Sequence, residues 1–200
     1  MPATAPAPPE GSVLNFAYGS NLLTRRILAR VPSAQLVSVA TLAGHRLCWH
    51  KRGRDGSGKC DVLPTGHPLD RVIGVVYRMR TADKPLLDRI EGLGSGYDEE
   101  EVSLSTAAGP MRAWTYRATD IDSAAVPFTW YKALVIAGAR EHAFPAAYLS
   151  GLEGVAARDD PDTARAQTHF DLIGPARLAG ADGRLKIRAQ DPHHPNSPTP

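Results

Sequence analysis

The sequence predicts an α+β domain, a small mixed sheet or barrel flanked by helices. Two observations carry this. The predicted elements run β-α-β-β-(α)-β-β-α-α, which does not alternate as βαβα and so argues against a doubly wound parallel sheet. The chain has 200 residues, 42% hydrophobic and 22% charged, enough for one domain with a real core.

Taken in order, residues 1–11 are rich in Pro and Ala and read as a disordered N-terminal tail. The domain is expected over 12–155. Val13, Leu14, Phe16 and Ala17 form a short buried strand that Gly19 breaks. Leu22, Leu23, Ile27 and Leu28 then follow with helical spacing, and Ser20 or Asn21 is placed to cap that helix. Such a strand, turn and helix directs several backbone N–H groups at one point, a place for a carboxylate, a phosphate or a developing oxyanion. Residues 34–48 read as one strand, bent near Gly44. Trp49–Pro68 is rich in Gly, Asp and Ser and reads as a solvated loop, with a short strand from Cys60 to Leu63 and a basic cluster at Lys51, Arg52 and Arg54. The alternative role for that cluster is a rim that attracts an anionic substrate. Residues 71–79 form an apolar strand. Thr81 caps the next helix, whose stripe is Leu86, Leu87, Ile90 and Leu93 and whose end is Gly92. Residues 99–106 and 111–118 are two strands joined by a Gly-Pro turn. Phe128–His142 is a helix, and Pro145 starts another. Residues 156–174 read as an extension of loop and weak helix, and 175–200 as a flexible tail.

Bulk properties narrow the function. A net charge of +2 gives no ground for a nucleic-acid or membrane partner. Two cysteines, Cys48 and Cys60, are too few for a disulfide framework, and the N-terminus has no signal-peptide pattern, so a cytoplasmic protein is expected. No histidine cluster has metal-ligand spacing, Asp159, Asp160 and Asp162 do not follow a calcium loop, and Ser20 lacks a nucleophile-elbow context. No metal-ligand set is read from the sequence, and a homodimer is left open. Among the carboxylates Glu91 stands out. It lies in the last turn of its helix at the edge of the apolar stripe, where partial burial would make it a usable base. Tyr18, Tyr97 and Tyr131 offer hydroxyls to a polar ligand.

The residues themselves go further. Phe16-Ala17-Tyr18-Gly19-Ser20-Asn21-Leu22, with Arg25 and Arg26, resembles the N-terminal signature of the γ-glutamylcyclotransferases. The likeness continues through Gly74-Val75-Val76-Tyr77, Leu87 to Gly92, Gly96-Tyr97, Tyr131-Lys132 and Gly138 to Glu141, over about residues 13–150. It implies that family's fold, a small mixed β-barrel with flanking helices. It implies cyclisation of a γ-glutamyl amino acid or amine to 5-oxoproline, with no cofactor or metal. By position Glu91 matches the catalytic glutamate. Asn15, Phe16, Ala17, Tyr18, Gly19 and Ser20 match the substrate-binding turn, with Asn21 following, and Tyr131 and Tyr97 match pocket tyrosines. The alternatives are a non-catalytic binding module of the same fold and a cyclotransferase for a specialised γ-glutamylated intermediate. Two departures stand out. Asn15 replaces an aromatic or aliphatic residue, and the Trp49–Pro68 loop is unusually basic. Asn21 argues against the glutathione-specific branch.

Overall fold

A computed structural model describes residues 9–174. Most of the expected N-terminal tail, 1–8, and the expected flexible tail, 175–200, lie outside the described residues. Five strands close into a barrel in the order β1 (Ser12–Ala17), β5 (Arg71–Arg80), β2 (Gln35–Ala43), β6 (Tyr97–Thr106) and β7 (Gly109–Ala118). Closure comes at Asn15, which pairs in parallel with Trp114, while the pairings of β1 with β5, β5 with β2, β2 with β6 and β6 with β7 are antiparallel. The expected mixed barrel is therefore present.

β5 is the spine of the barrel. It is hydrogen-bonded to a strand on each side, and Val72 through Tyr77 are all buried, which is why this segment reads as a continuous β-branched run. Gly74 lies under the ring of Phe16, and a Cβ there would come within 2.4 Å of the ring. β7 instead alternates, with Met111, Ala113 and Thr115 inward and Arg112 and Trp114 outward.

Two parts of the chain depart from the sequence reading. The single bent strand over 34–48 is two strands. Gly44, at φ +69°, turns the chain out of the barrel between β2 and β3 (His45–Arg52). β3 then pairs antiparallel with β4 (Gly58–Pro64), so most of the expected loop is a two-stranded sheet beside the barrel. It is not a solvated loop: Lys51, Ser57, Cys60, Asp61 and Val62 are buried. The hairpin is pinned by Asp61, which accepts from the Ala118 N–H (2.7 Å) and contacts His50 Nε2 (2.8 Å). The β6–β7 turn falls at Ala107-Ala108, with Gly109 and Pro110 already in β7.

The helices cover the barrel. They are α1 (Thr24–Arg30), α2 (Lys84–Glu91), α3 (Thr129–Glu141), α4 (Ala146–Glu153) and α5 (Thr163–Phe170). Among the described residues none is long and apolar enough to cross a membrane. α2 ends as expected on left-handed Gly92 at φ +77°, whose N–H bonds to Asp88 O. It starts after a 3-10 turn, Thr81–Asp83, with no side-chain cap from Thr81. α5 is capped by Asp162, which accepts from the Arg165 N–H. α3 lies directly on the segment that follows β1. A Cβ on Gly138 would sit 2.4 Å from Leu23 N and 2.5 Å from Leu22 C, so only glycine allows this approach.

We expect Gly138→Ala to force α3 off the Leu22–Leu23 backbone and to destabilise the protein by about 1–3 kcal/mol. Denaturant unfolding measures this, and a wild-type midpoint would show that the helix has room to move.

Candidate active site

The segment after β1 is a tight turn rather than the start of an α-helix. Ser20–Leu22 form one 3-10 turn and α1 begins only at Thr24. Neither Ser20 nor Asn21 caps it. The Thr24 N–H is accepted by Glu141 of α3 at 3.1 Å, and the Asn21 side chain is engaged elsewhere. The turn is held from behind. Tyr77 OH donates to Leu22 O (3.0 Å), and His142 Nε2 bonds the same carbonyl (2.9 Å). Gly19 is required by proximity, since a Cβ would lie 3.0 Å from Tyr131 OH and 3.1 Å from Cys60 Cβ. Among the described residues the backbone N–H groups of Gly19, Ser20 and Asn21 have no protein acceptor.

Glu91 meets this turn. Its Oε1 accepts from Asn21 Nδ2 (2.9 Å) and from Arg30 Nη1 (2.8 Å), and Arg30 Nη1 also donates to Asn21 Oδ1 (2.8 Å). Oε2 has no hydrogen-bond partner among the described residues. The surroundings differ from those expected of an apolar helix edge. Of the stripe only Leu87 is buried, while Leu86, Ile90 and Leu93 are exposed. The carboxylate is therefore fixed by a cation and an amide, with its side chain 17% exposed and that of Arg30 20% exposed.

Three tyrosines and the hairpin form the opposite wall. Tyr131 OH accepts from the Cys60 N–H (3.0 Å) and Tyr97 OH donates to Cys60 O (2.7 Å), so β4 is gripped through both backbone groups of one residue. Tyr18 OH donates to Tyr116 O. Burial pushes the Tyr18, Tyr97 and Tyr131 hydroxyls well above the ordinary tyrosine value. Burial likewise pushes the Cys60 thiol up to about 12. At neutral pH all four groups are protonated and act as hydrogen-bonding groups, not as bases or nucleophiles.

These parts line a cleft open to solvent. Every residue singled out from the sequence lines it: Asn15 through Asn21 on one side, Glu91, Tyr97 and Tyr131 on the others. Asn15 is buried and donates from Nδ2 to Trp114 O (3.2 Å), so it serves barrel closure as well as the cleft floor. The sequence reading missed Cys60, Tyr116 and Arg30. Cys60 acts through its backbone, which leaves no side-chain signal. Arg30 was visible only as one basic residue among three on its helix. Among the described residues no three His, Cys, Asp or Glu side chains gather as a metal-binding group.

A second, larger chamber, also open to solvent, adjoins the first and shares Ser20, Glu91, Tyr97 and Tyr131 with it. Arg26 in its wall is buried, and its Nη1 lies 3.2 Å from His169 Nδ1 on α5. His169 stacks on Trp130 with centroids 3.9 Å apart.

With this geometry in hand the relatives can be compared. The γ-glutamylcyclotransferase of Bos taurus is 37% identical over 153 residues, covering 74% of this chain and 81% of its own. The γ-glutamylcyclotransferase of Homo sapiens is 36% identical over 163 residues, covering 76% and 83%. The chain belongs to the γ-glutamylcyclotransferase family. Residues 71–152 match the model of the AIG2-like family, and that span includes Glu91, Tyr97 and Tyr131. A solved structure named γ-glutamyl cyclotransferase superposes with a TM-score of 0.73 at 32% identity, covering 81% of this chain and 98% of the other. The barrel and the helices on it are thus the architecture of the cyclotransferase family.

Burial, with Arg26, Arg30 and Lys59 nearby, lowers the His169 pKa to about 4 against 6.5 for the free side chain. Between those values the unfolded chain binds a proton that the folded chain refuses, so stability is lost as pH falls from 6.5 toward 4. Above 6.5 the penalty vanishes. Thermal unfolding from pH 7 to 4.5 should therefore fall less steeply in His169→Gln than in wild type. Equal slopes would contradict a neutral His169 between Trp130 and Arg26.

Proposed function

We propose that the cleft binds a γ-glutamyl amino acid or amine and closes its γ-glutamyl group into 5-oxoproline, with Glu91 carrying the proton. The reaction class is that of the cyclotransferase family to which the chain belongs. One observation carries the residue roles. The Glu91 carboxylate is pinned through Oε1 to the turn at Asn21, with Oε2 left without a protein partner in the shared wall of the two chambers.

The chemistry follows from what these groups offer. The substrate α-amine, once deprotonated, attacks its own γ-carbonyl and forms the ring N–C bond. The bond from the γ-carbon to the departing nitrogen then breaks. Glu91 accepts the proton of the attacking amine and returns it to the departing nitrogen, so one carboxylate is base and then acid. Both reacting groups belong to one molecule, and the cleft mainly has to fold and hold it. The N–H groups of Gly19, Ser20 and Asn21 are donors for the substrate carboxylate or the tetrahedral oxyanion. Tyr18, Tyr97 and Tyr131 shape the pocket as protonated phenols. No covalent intermediate is required, and a Cys60 thiol with its pKa near 12 is unsuited to form one. Cys48 and Cys60 are both free, which suits the cytoplasmic setting we assign.

Mass spectrometry of the products from a mixture of γ-glutamyl amino acids and amines tests this. We expect 5-oxoproline together with the released amine in equal amounts. Free glutamate in place of 5-oxoproline would show hydrolysis and overturn the mechanism.

A further inference from the structure

The second chamber is strongly basic. Arg26, Arg30, Lys51, Arg54 and Lys59 line it against two carboxylates, Asp55 and Glu91. Those two acids are already engaged. Glu91 pairs with Arg30, and Asp55 pairs with Lys59 at 2.7 Å. Lys51, Arg54 and Arg26 remain without a carboxylate partner among the described residues. Lys51 is the decisive member. It is 8% exposed, lies on β3 with Nζ 4.9 Å from the centroid of the Tyr97 ring, and has no hydrogen-bond or ion-pair partner among the described residues. The space for its head group is made by Gly96, where a Cβ would lie 2.9 Å from Nζ. Burial lowers its pKa, and the nearby Glu91 opposes that. Arg26 is 6% exposed and its Nε has no partner among the described residues. Cations on largely buried side chains without a carboxylate partner are costly, and Lys51 and Arg26 both line this cavity.

The position of the chamber says what it would receive. Glu91, Tyr97, Tyr131 and Ser20 are common to both chambers, so the bond that breaks lies at their junction when Glu91 serves both nitrogens. With the γ-glutamyl head against the Gly19–Asn21 turn, the departing group extends into the basic chamber. We propose that this chamber recognises an anionic leaving group, and that the preferred substrates are γ-glutamyl conjugates of a dicarboxylic amino acid, glutamate or aspartate. The inference rests on the reaction proposed above. Lys51 and Arg54 are the specificity-determining residues for the second carboxylate, and Arg26 supports them from the chamber wall. The transfer stays intramolecular: the γ-carbon exchanges the departing nitrogen for the α-nitrogen, and the released amino acid leaves with both carboxylates intact. The basic cluster that reads from sequence as a solvated loop is, in this account, the wall of a subsite.

The test compares γ-glutamyl-glutamate with γ-glutamyl-glutamine, which differ in one charge at nearly constant shape. Wild type should process the glutamate conjugate with a kcat/KM about tenfold higher or more, as expected for a hydrogen-bonded charge. That ratio should shrink as salt is raised. In Lys51→Gln it should collapse to about twofold or less, and Lys51→Arg, which keeps the positive charge, should retain part of it. Arg54 lies exposed on the rim, so Arg54→Gln tests the same ratio without risk to the core and should lower it partway. Because each ratio is internal to one preparation, loss of folded protein does not imitate the effect. Equal turnover of the two conjugates by wild type would overturn this inference and leave the reaction standing. A ratio preserved in both Lys51→Gln and Arg54→Gln would also overturn it. Absence of 5-oxoproline from both conjugates would overturn the reaction as well.

Discussion

The three-way contact of Asn21, Arg30 and Glu91 is the interaction on which the site depends. It joins the turn after β1, the end of α1 and the last residue of α2, three places that share no strand pairing. Arg30 Nη1 reaches both Asn21 Oδ1 and Glu91 Oε1 at 2.8 Å. Each such bond to a charged group contributes about 1–3 kcal/mol when partly buried. The contact fixes one carboxylate oxygen and leaves the other without a protein partner among the described residues, which is the arrangement a proton carrier needs. The barrel supplies the rigidity beneath it. β1 and β5 position the turn, Tyr77 and His142 hold the Leu22 carbonyl, and Gly138 lets α3 press on the turn from behind.

Charge is distributed unevenly across the two chambers, and this divides their work. The inner cleft is walled by phenols that burial keeps protonated and by N–H groups without protein acceptors. It can orient a zwitterionic glutamyl head without offering a competing base. The outer chamber holds cations in excess and α5 stands behind it through His169 and Trp130. Glu91 lines both, and in the proposed reaction that lets a single carboxylate serve the nitrogen in each.

Much of this could be read in the chain. The β5 spine was visible because six consecutive buried residues leave an unbroken apolar run. The end of α2 was visible because a left-handed C-terminal position calls for glycine, and Gly92 supplies it. The cleft residues were found through the motif around Gly19, whose lack of a side chain is now explained by Tyr131 OH and Cys60. What stayed hidden is non-local. Local preference favours Ser20 or Asn21 as a helix cap, yet tertiary contacts to Leu22 hold a 3-10 turn and free Asn21 for Glu91. The Gly-rich hairpin looked like a loop because its burial comes from Asp61 and the two tyrosines on the Cys60 backbone, contacts from 37 to 71 residues away in sequence. Arg30 has no periodicity that distinguishes it from Arg25 or Arg26.

The central claim is that the Glu91 carboxylate moves the proton, and the rate of 5-oxoproline formation by Glu91→Gln tests it most directly. Glutamine keeps an oxygen for Arg30 and Asn21 but removes the base. The account predicts a fall in kcat of about 10²–10⁴-fold with the unfolding midpoint close to that of wild type. A kcat near the wild-type value would contradict it.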